Sequence, residues 1–201
     1  IVVRHCPKIG FRGSAHFNDV TIRDGYFSRD GIGIWMGSGA RGVRISGIGF
    51  EHTVKCAIYI ARSFAISISD CYFEGNALSP QKDWFLNGSI VLDHHADSIQ
   101  VQNFIFRGTS VNRGHVVIGD SRNVEVSGNL IQIHRQDADA LVMLADPMDG
   151  KTPAHASNIF VRNNRYIWSS KMAKTEKGAP PYCYFEVRPG MVQEAVRNGS
   201  I

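Results

Sequence analysis

Residues 65–76 read AISISDCYFEGN. Two isoleucines flank a serine, an aspartate follows, then an aromatic pair and Glu-Gly-Asn. Apolar and polar residues alternating with period two mark a strand that buries one face, and Asp70 before a fresh apolar pair marks a bend. The same arrangement recurs as DVTIRDGYF (19–27), GVRISGIGF (42–50), SIQVQNFIF (98–106), NVEVSGNLI (123–131) and NIFVRNNRYI (158–167). The bend falls at Asp24, Gly47, Asp70, Asn103, Gly128 and Asn163, so successive intervals are 23, 23, 33, 25 and 35. A basic period near 23, with two insertions of about ten, is the signature of a stacked repeat.

A second motif fills the intervals: GIWM (33–36), AIYI (57–60), SIVL (89–92), HVVI (115–118) and ALVML (140–144). Each repeat thus carries about three strand segments that are too short to form hairpins of their own. Such segments find partners when the chain coils and each pairs in parallel with its counterpart one coil on, about 4.8 Å away. Ile66 and Ile68 are then expected inside, with Val43 and Ile45 below and Ile99 and Val101 above, and the intervening serines face water. The bend residues form a polar column, because Asn, Asp and Gly tolerate the backbone conformation a sharp corner needs.

The pattern of NIFVRNNRYI, SIQVQNFIF and GVRISGIGF resembles the right-handed parallel β-helix of the pectin-lyase-like superfamily, bacteriophage tailspikes included. The resemblance covers about residues 18–167, with 1–17 as a partial turn. It implies an all-β, three-sided solenoid of about six to seven turns over residues 1–167, a fragment of a longer chain, followed by a loop and tail at 168–201. PPYCYFEV (180–187) is a candidate further strand, and MVQEAVRNG (191–199) a short helix or the start of another turn. The functions implied are recognition or degradation of a bacterial surface polysaccharide, by lyase, hydrolase or epimerase chemistry, or a purely structural stalk. As a tailspike-type domain the chain is expected to form a homotrimer with other virion proteins as neighbours. It would assemble in the host cytoplasm and work on the virion tail or outside the cell.

Composition narrows the field. The net charge is only +4, from 22 basic and 18 acidic residues that are scattered, so no nucleic-acid stripe is expected. No apolar run has the length of a membrane span. Cys6, Cys56, Cys71 and Cys183 lack zinc-ligand spacing. Cys6 and Cys71 take similar corner positions about three turns apart, too far for a disulfide, and free buried thiols are expected.

Candidate chemistry collects beside the second motif. The insertions 77–88 and 145–157 border it from opposite sides, and its outward positions are Trp35, Tyr59, Val91, Val117 and Met143. That strip is too apolar to face water, so a sugar chain, a neighbouring subunit or the tail is expected to cover it. Trp35 and Tyr59 would floor a sugar site, with Trp84 and Lys151 on the loop walls. Past the strand ends, Ser38, Arg62, His94, Asp120 and Asp146 are expected to stack as a column. Asp120 and Asp146 on adjacent coils would share a proton, as the acid/base pair of a hydrolase, or hold Ca²⁺ for β-elimination, with His94 or Arg122 assisting. No other metal and no organic cofactor is expected. Asp93, Asp97 and Asp149 add negative charge, and His115, His134 and His155 read as surface or packing histidines. Val91-Leu92-Asp93-His94 is similar to the Trp-Ile-Asp-His pattern of pectate lyases but lies on the other strand type of the repeat. Gly114-His115-Val116 is only a fragment of the polygalacturonase Gly-His-Gly motif.

Overall fold

The computed structural model describes residues 1–14, 17–76, 88–107, 114–133, 140–144, 156–168 and 183–187. Every pairing between its named strands is parallel. The first face of the coil is a seven-stranded sheet: β2 (Ile9–Gly13), β4 (Ile32–Met36), β6 (Cys56–Ala61), β9 (Gly88–Asp93), β12 (Gly114–Ile118), β15 (Ala140–Leu144) and β18 (Cys183–Val187). The other two faces form one eleven-stranded sheet. The second face stacks β7 (Phe64–Ser69), β10 (Ala96–Gln102), β13 (Ser121–Ser127) and β16 (Ser157–Arg162). The third stacks β8 (Tyr72–Glu74), β11 (Ile105–Arg107), β14 (Leu130–Ile133) and β17 (Arg165–Trp168), below which lies β1 (Val2–Arg4). In the lower coils β3 (Thr21–Ser28) and β5 (Arg44–Glu51) run unbroken around the bend and belong to both faces.

The expected register holds. Ile68 lies between Ile45 and Val101, and Ile66 pairs with Ile99. On the first face Trp35, Tyr59, Val91, Val117 and Met143 follow one another in a single row. PPYCYFEV does supply a further strand, β18, beside β15, whereas 191–199 lies outside the described residues.

The corners explain why the repeat needs its polar residues. Asp24, Gly47, Asp70, Asn103, Gly128 and Asn163 all have positive φ, between 53° and 66°. This left-handed region is one that Gly, Asn and Asp enter at least cost. A second column, not evident in the sequence, has the same spacing: Asp19, Gly42, Ala65, Ser98, Asn123 and Asn158. Ala65 and Ser98 hide that column, since neither residue type advertises a left-handed corner.

Inside, Phe27, Phe50, Phe73 and Phe106 stack as a ladder with ring centroids 5.4, 5.1 and 5.0 Å apart. The strand positions facing it change to suit. A Cβ on Gly10 would press on Phe27 and one on Gly33 on Phe50, but the same position carries His115 higher up and Leu141 above that. His115 is thus a packing histidine, its ring 4.6 Å from Phe106. Burial pushes its pKa down to about 3, so it stays neutral. Small residues meet the rings and larger ones fill the space where Ile131 replaces phenylalanine in the ladder, as close packing demands.

Cys6, Cys56 and Cys71 are free thiols. Cys6 and Cys71 do not share a corner, however. Cys6 follows left-handed His5 in the column continued by Arg29, His52 and Gly75, whereas Cys71 follows Asp70 in the column above Asp24 and Gly47. Both follow a positive-φ residue, which made them look equivalent. Burial raises Cys56 and Cys71 to about 12, so neither is a thiolate nucleophile.

Candidate functional site

The outward row of the first face is not an open strip. Val91, Val117 and Met143 are fully buried within this single chain, and Tyr59 is 7% exposed. The expected apolar floor therefore shrinks to its lower end, where Trp35 remains half-buried. There a cavity of about 330 Å³ is lined by Arg12, Trp35, Ser38, Tyr59, Arg62 and His94, among others. The Arg12 guanidinium lies over the indole of Trp35, 4.7 Å from the ring centre. Tyr59 meets the same indole edge to face at 5.9 Å. The indole N–H is buried without a hydrogen-bond partner among the described residues.

Parallel stacking brings Tyr59 and Asp93 together. Tyr59 pairs with Val91 and Ala61 with Asp93, so the tyrosine ring reaches along the row to the strand end of the coil above. Its hydroxyl donates to Asp93 Oδ2 at 2.9 Å, and the His94 backbone N–H donates to Oδ1 at 2.7 Å. His94 Nε2 lies 3.3 Å from the same Oδ2. The Asp93 carboxyl is inaccessible to water, while the imidazole is partly exposed. Burial first, and then the neighbouring Asp93 carboxylate, hold the Tyr59 hydroxyl far above the usual phenol range. The cluster therefore presents a protonated phenol and an imidazole on one buried carboxylate, beside two guanidinium groups.

The column past the strand ends is only partly as expected. Ser38, Arg62 and His94 share the left-handed conformation, at φ 37°, 49° and 43°. Asp120 is shifted against them, because the turn after Leu92 is one residue longer than the turn after Ile118. It meets the extra residue: the His95 N–H donates to the Asp120 carbonyl, and His95 Nδ1 lies 2.8 Å from Asp120 Oδ2. Arg122 points elsewhere, its Nε donating to Asp97 Oδ2 at 2.7 Å on the exposed second face. The hydrogen bond from Asn123, set against partial burial and aided by Arg122, holds Asp97 below the usual carboxylate range. His94 is thus gathered with Asp93 and Tyr59, and neither it nor Arg122 with Asp120. Asp146, Trp84, Lys151, Asp149, His134 and His155 lie outside the described residues. Among the described residues no group of three or more His, Cys, Asp or Glu is placed to hold a metal ion. Among the described residues no helix is long and apolar enough to cross a membrane.

A larger hollow, about 460 Å³, lies on the second face between Ser67, Ser98, Gln100, Asn123, Glu125 and Phe160. Among the described residues that line it, the charged one, Glu125, is held by Arg162 at 2.8 Å. With no acid or base poised in it, it is the weaker candidate despite its size.

The profile of the family described as "Right handed beta helix region" matches residues 3–131, well over half of the chain. The chain belongs to that family. This membership agrees with the parallel, three-faced coil, whose described strands continue beyond the matched residues to Val187. No curated protein matches the sequence. Right-handed β-helices are built both into proteins that act on polysaccharides and into structural stalks, so activity has to be argued from the site.

Proposed function

We propose that this chain is the β-helix domain of a phage tailspike or comparable virion appendage, and that it recognises a bacterial surface polysaccharide. The observation that carries the reading is the cavity at the lower end of the first face. Trp35 and Tyr59 supply ring surface for sugar C–H groups, and Arg12, Arg62 and His94 surround them with polar donors. An assembly into trimers is supported by Phe64, Ile105, Phe160 and Ile167, which leave large apolar surface exposed on the second and third faces. Free thiols suit folding in a reducing host cytoplasm before release.

Cleavage of the bound glycan is a second reading, favoured by the Tyr59–Asp93–His94 cluster on the same cavity. The imidazole would take a proton from the sugar and the phenol would return one to the leaving oxygen, with Asp93 orienting both. The pairing of Asp120 with Asp146, with or without Ca²⁺, belongs to the same reading, and Trp84 and Lys151 to the sugar-binding one.

The test is titration of the protein with a panel of bacterial surface polysaccharides. Trp35→Ala and Arg62→Ala are expected to weaken binding by at least about tenfold, a loss of about 1.4 kcal/mol, with unchanged circular dichroism. Binding that survives both substitutions would overturn the site, and no binding to any glycan would leave a stalk. For cleavage, Tyr59→Phe should abolish new reducing or unsaturated ends while glycan is still bound. Sedimentation of the unmodified protein decides the trimer.

A further inference from the structure

Three asparagines hold corners of the coil by one repeated device. Asn76 Oδ1 accepts the Thr53 N–H at 3.1 Å, while its Nδ2 donates to the Phe50 carbonyl at 3.0 Å. Asn129 does the same with the Phe104 N–H and the Val101 carbonyl, at 3.0 and 3.4 Å. Asn164 does so with the Asn129 N–H and the Val126 carbonyl, at 3.0 and 3.1 Å. Each amide spans a backbone N–H and the carbonyl three residues before it on the coil below. Each asparagine also follows a left-handed residue: Gly75, Gly128 or Asn163. The device needs one acceptor and one donor on the same side chain, which asparagine has.

Asp30 occupies the same place between the two lowest coils. It follows left-handed Arg29, and its Oδ1 accepts the Cys6 N–H at 2.7 Å. Phe27 pairs with Val3 as Phe73 pairs with Phe50, so the carbonyl that a donor would meet here is that of Val3. Where asparagine carries its NH₂, Asp30 carries Oδ2, and this oxygen is buried without a hydrogen-bond partner among the described residues. The residue is wholly inaccessible to water. An ionised carboxyl has no hydrogen to put there; a protonated one has.

We infer that Asp30 is a proton-operated latch on the first coil: protonated, its carboxyl completes the asparagine device and ties the coil down, and ionised, it sets two oxygens against each other and loosens it. The segment it holds leads from Cys6 into β2, the strand that carries Arg12 to the Trp35 cavity, so the latch also governs how firmly that wall stands.

The surroundings favour the protonated form. Burial raises the pKa of Asp30, against the N–H groups of Cys6 and Ser28 and the charge of His5, which lower it. The titratable and charged side chains on the segments around it are Arg4, His5, Cys6 and Lys8 below, Arg29 beside it, and Glu51, His52 and Lys55 on the coil above. Of these, His5 acts on the carboxyl, and it favours the ionised form. With the folded pKa above the unfolded value of 3.8, the contribution is complete below that value and is lost as pH rises through the folded one.

The test is hydrogen exchange of the Gly31 and Ile32 amides, which donate to Cys6 and Lys8 and tie the first coil to the second. After correction for intrinsic exchange, the unmodified protein should show severalfold weaker protection at neutral pH than at a pH below 3.8, where the contribution is complete. Asp30→Asn should abolish that difference and match or exceed the acid protection at both, while Asp30→Ala should lose protection at both. The inference is overturned if Asp30→Asn is less protected than the unmodified protein at neutral pH. It is equally overturned if the pH difference survives the substitution, which would place the titration on another group. No glycan enters the measurement, so its outcome is independent of the proposed function.

Discussion

The first and second faces of the coil are built from the same parallel ladders, yet they meet the outside differently. Strands β6, β9 and β12 are buried at every position, whereas β10 and β13, beyond the corners at Ser98 and Asn123, are buried only at alternate ones. A sheet covered on both sides favours near-continuous apolar runs, as in AIYI and the VVI of β12; a sheet with one wet side alternates, as ISIS does. The proposed site lies where the two regimes meet, at the lower end of the first face. There the outward row changes from buried Val91 to half-buried Trp35, so polar groups can stand beside aromatic rings without leaving the water entirely.

The comparison can be broken most forcefully through what the faces share. Phe73 stacks within the common core, so Phe73→Ala should cost about 3–5 kcal/mol of stability, whereas Phe64→Ala, exposed on the single chain, should change the stability of the dissociated chain by less than about 0.5 kcal/mol. Denaturant melts of the two variants measure this, and equal effects would mean that the core is not the shared support. A sharper test uses outward positions alone. Val91→Ala should cost about 2 kcal/mol because its side chain is buried on the outer surface of the first face. Gln100→Ala, outward on the second face, should lie within about 0.5 kcal/mol of the unmodified protein. A neutral Val91→Ala would mean that the first face is open after all.

The smallest effect at neutral pH is expected at His115. Its folded pKa is pushed down to about 3, below the unfolded value of 6.5, so stability is fully present above 6.5 and is lost as pH falls. His115→Leu, which repeats the Leu141 found one coil higher, should leave neutral stability nearly unchanged and flatten the acid limb of the melting profile. The sign is opposite to that of Asp30. Acid strains the upper coil at His115 and steadies the lowest one at Asp30.

Much of the fold was legible because a repeat writes its register into spacing. The bends at Asp24, Gly47, Asp70, Asn103, Gly128 and Asn163 needed only counting, since residues that tolerate positive φ are few. The second column stayed hidden where Ala65 and Ser98 take that conformation without the composition that signals it. The candidate site was legible in part. Trp35, Tyr59 and His94 were found from their place in the row and the turn, and Asp93 stood beside His94 in the quoted string. Arg12 and Arg62 gave no signal of a site: one was a single cation in a short first turn, the other a member of the turn column without an assigned role. The expected link between Asp120 and His94 failed on a difference of one residue in turn length, which inserts His95 between them.

The sequence alone thus determined that the chain coils, which residues point inward, and where the corners fall, because parallel pairing of a periodic chain is a local property repeated at each turn. Packing between coils settled which outward positions are covered, that Tyr59 reaches Asp93 across a coil, and that Asp30 stands where an amide belongs. Those outcomes depend on side chains from different coils meeting at a few ångströms, and on turn lengths that shift one coil against the next. Neither quantity is periodic, so neither is written in the repeat.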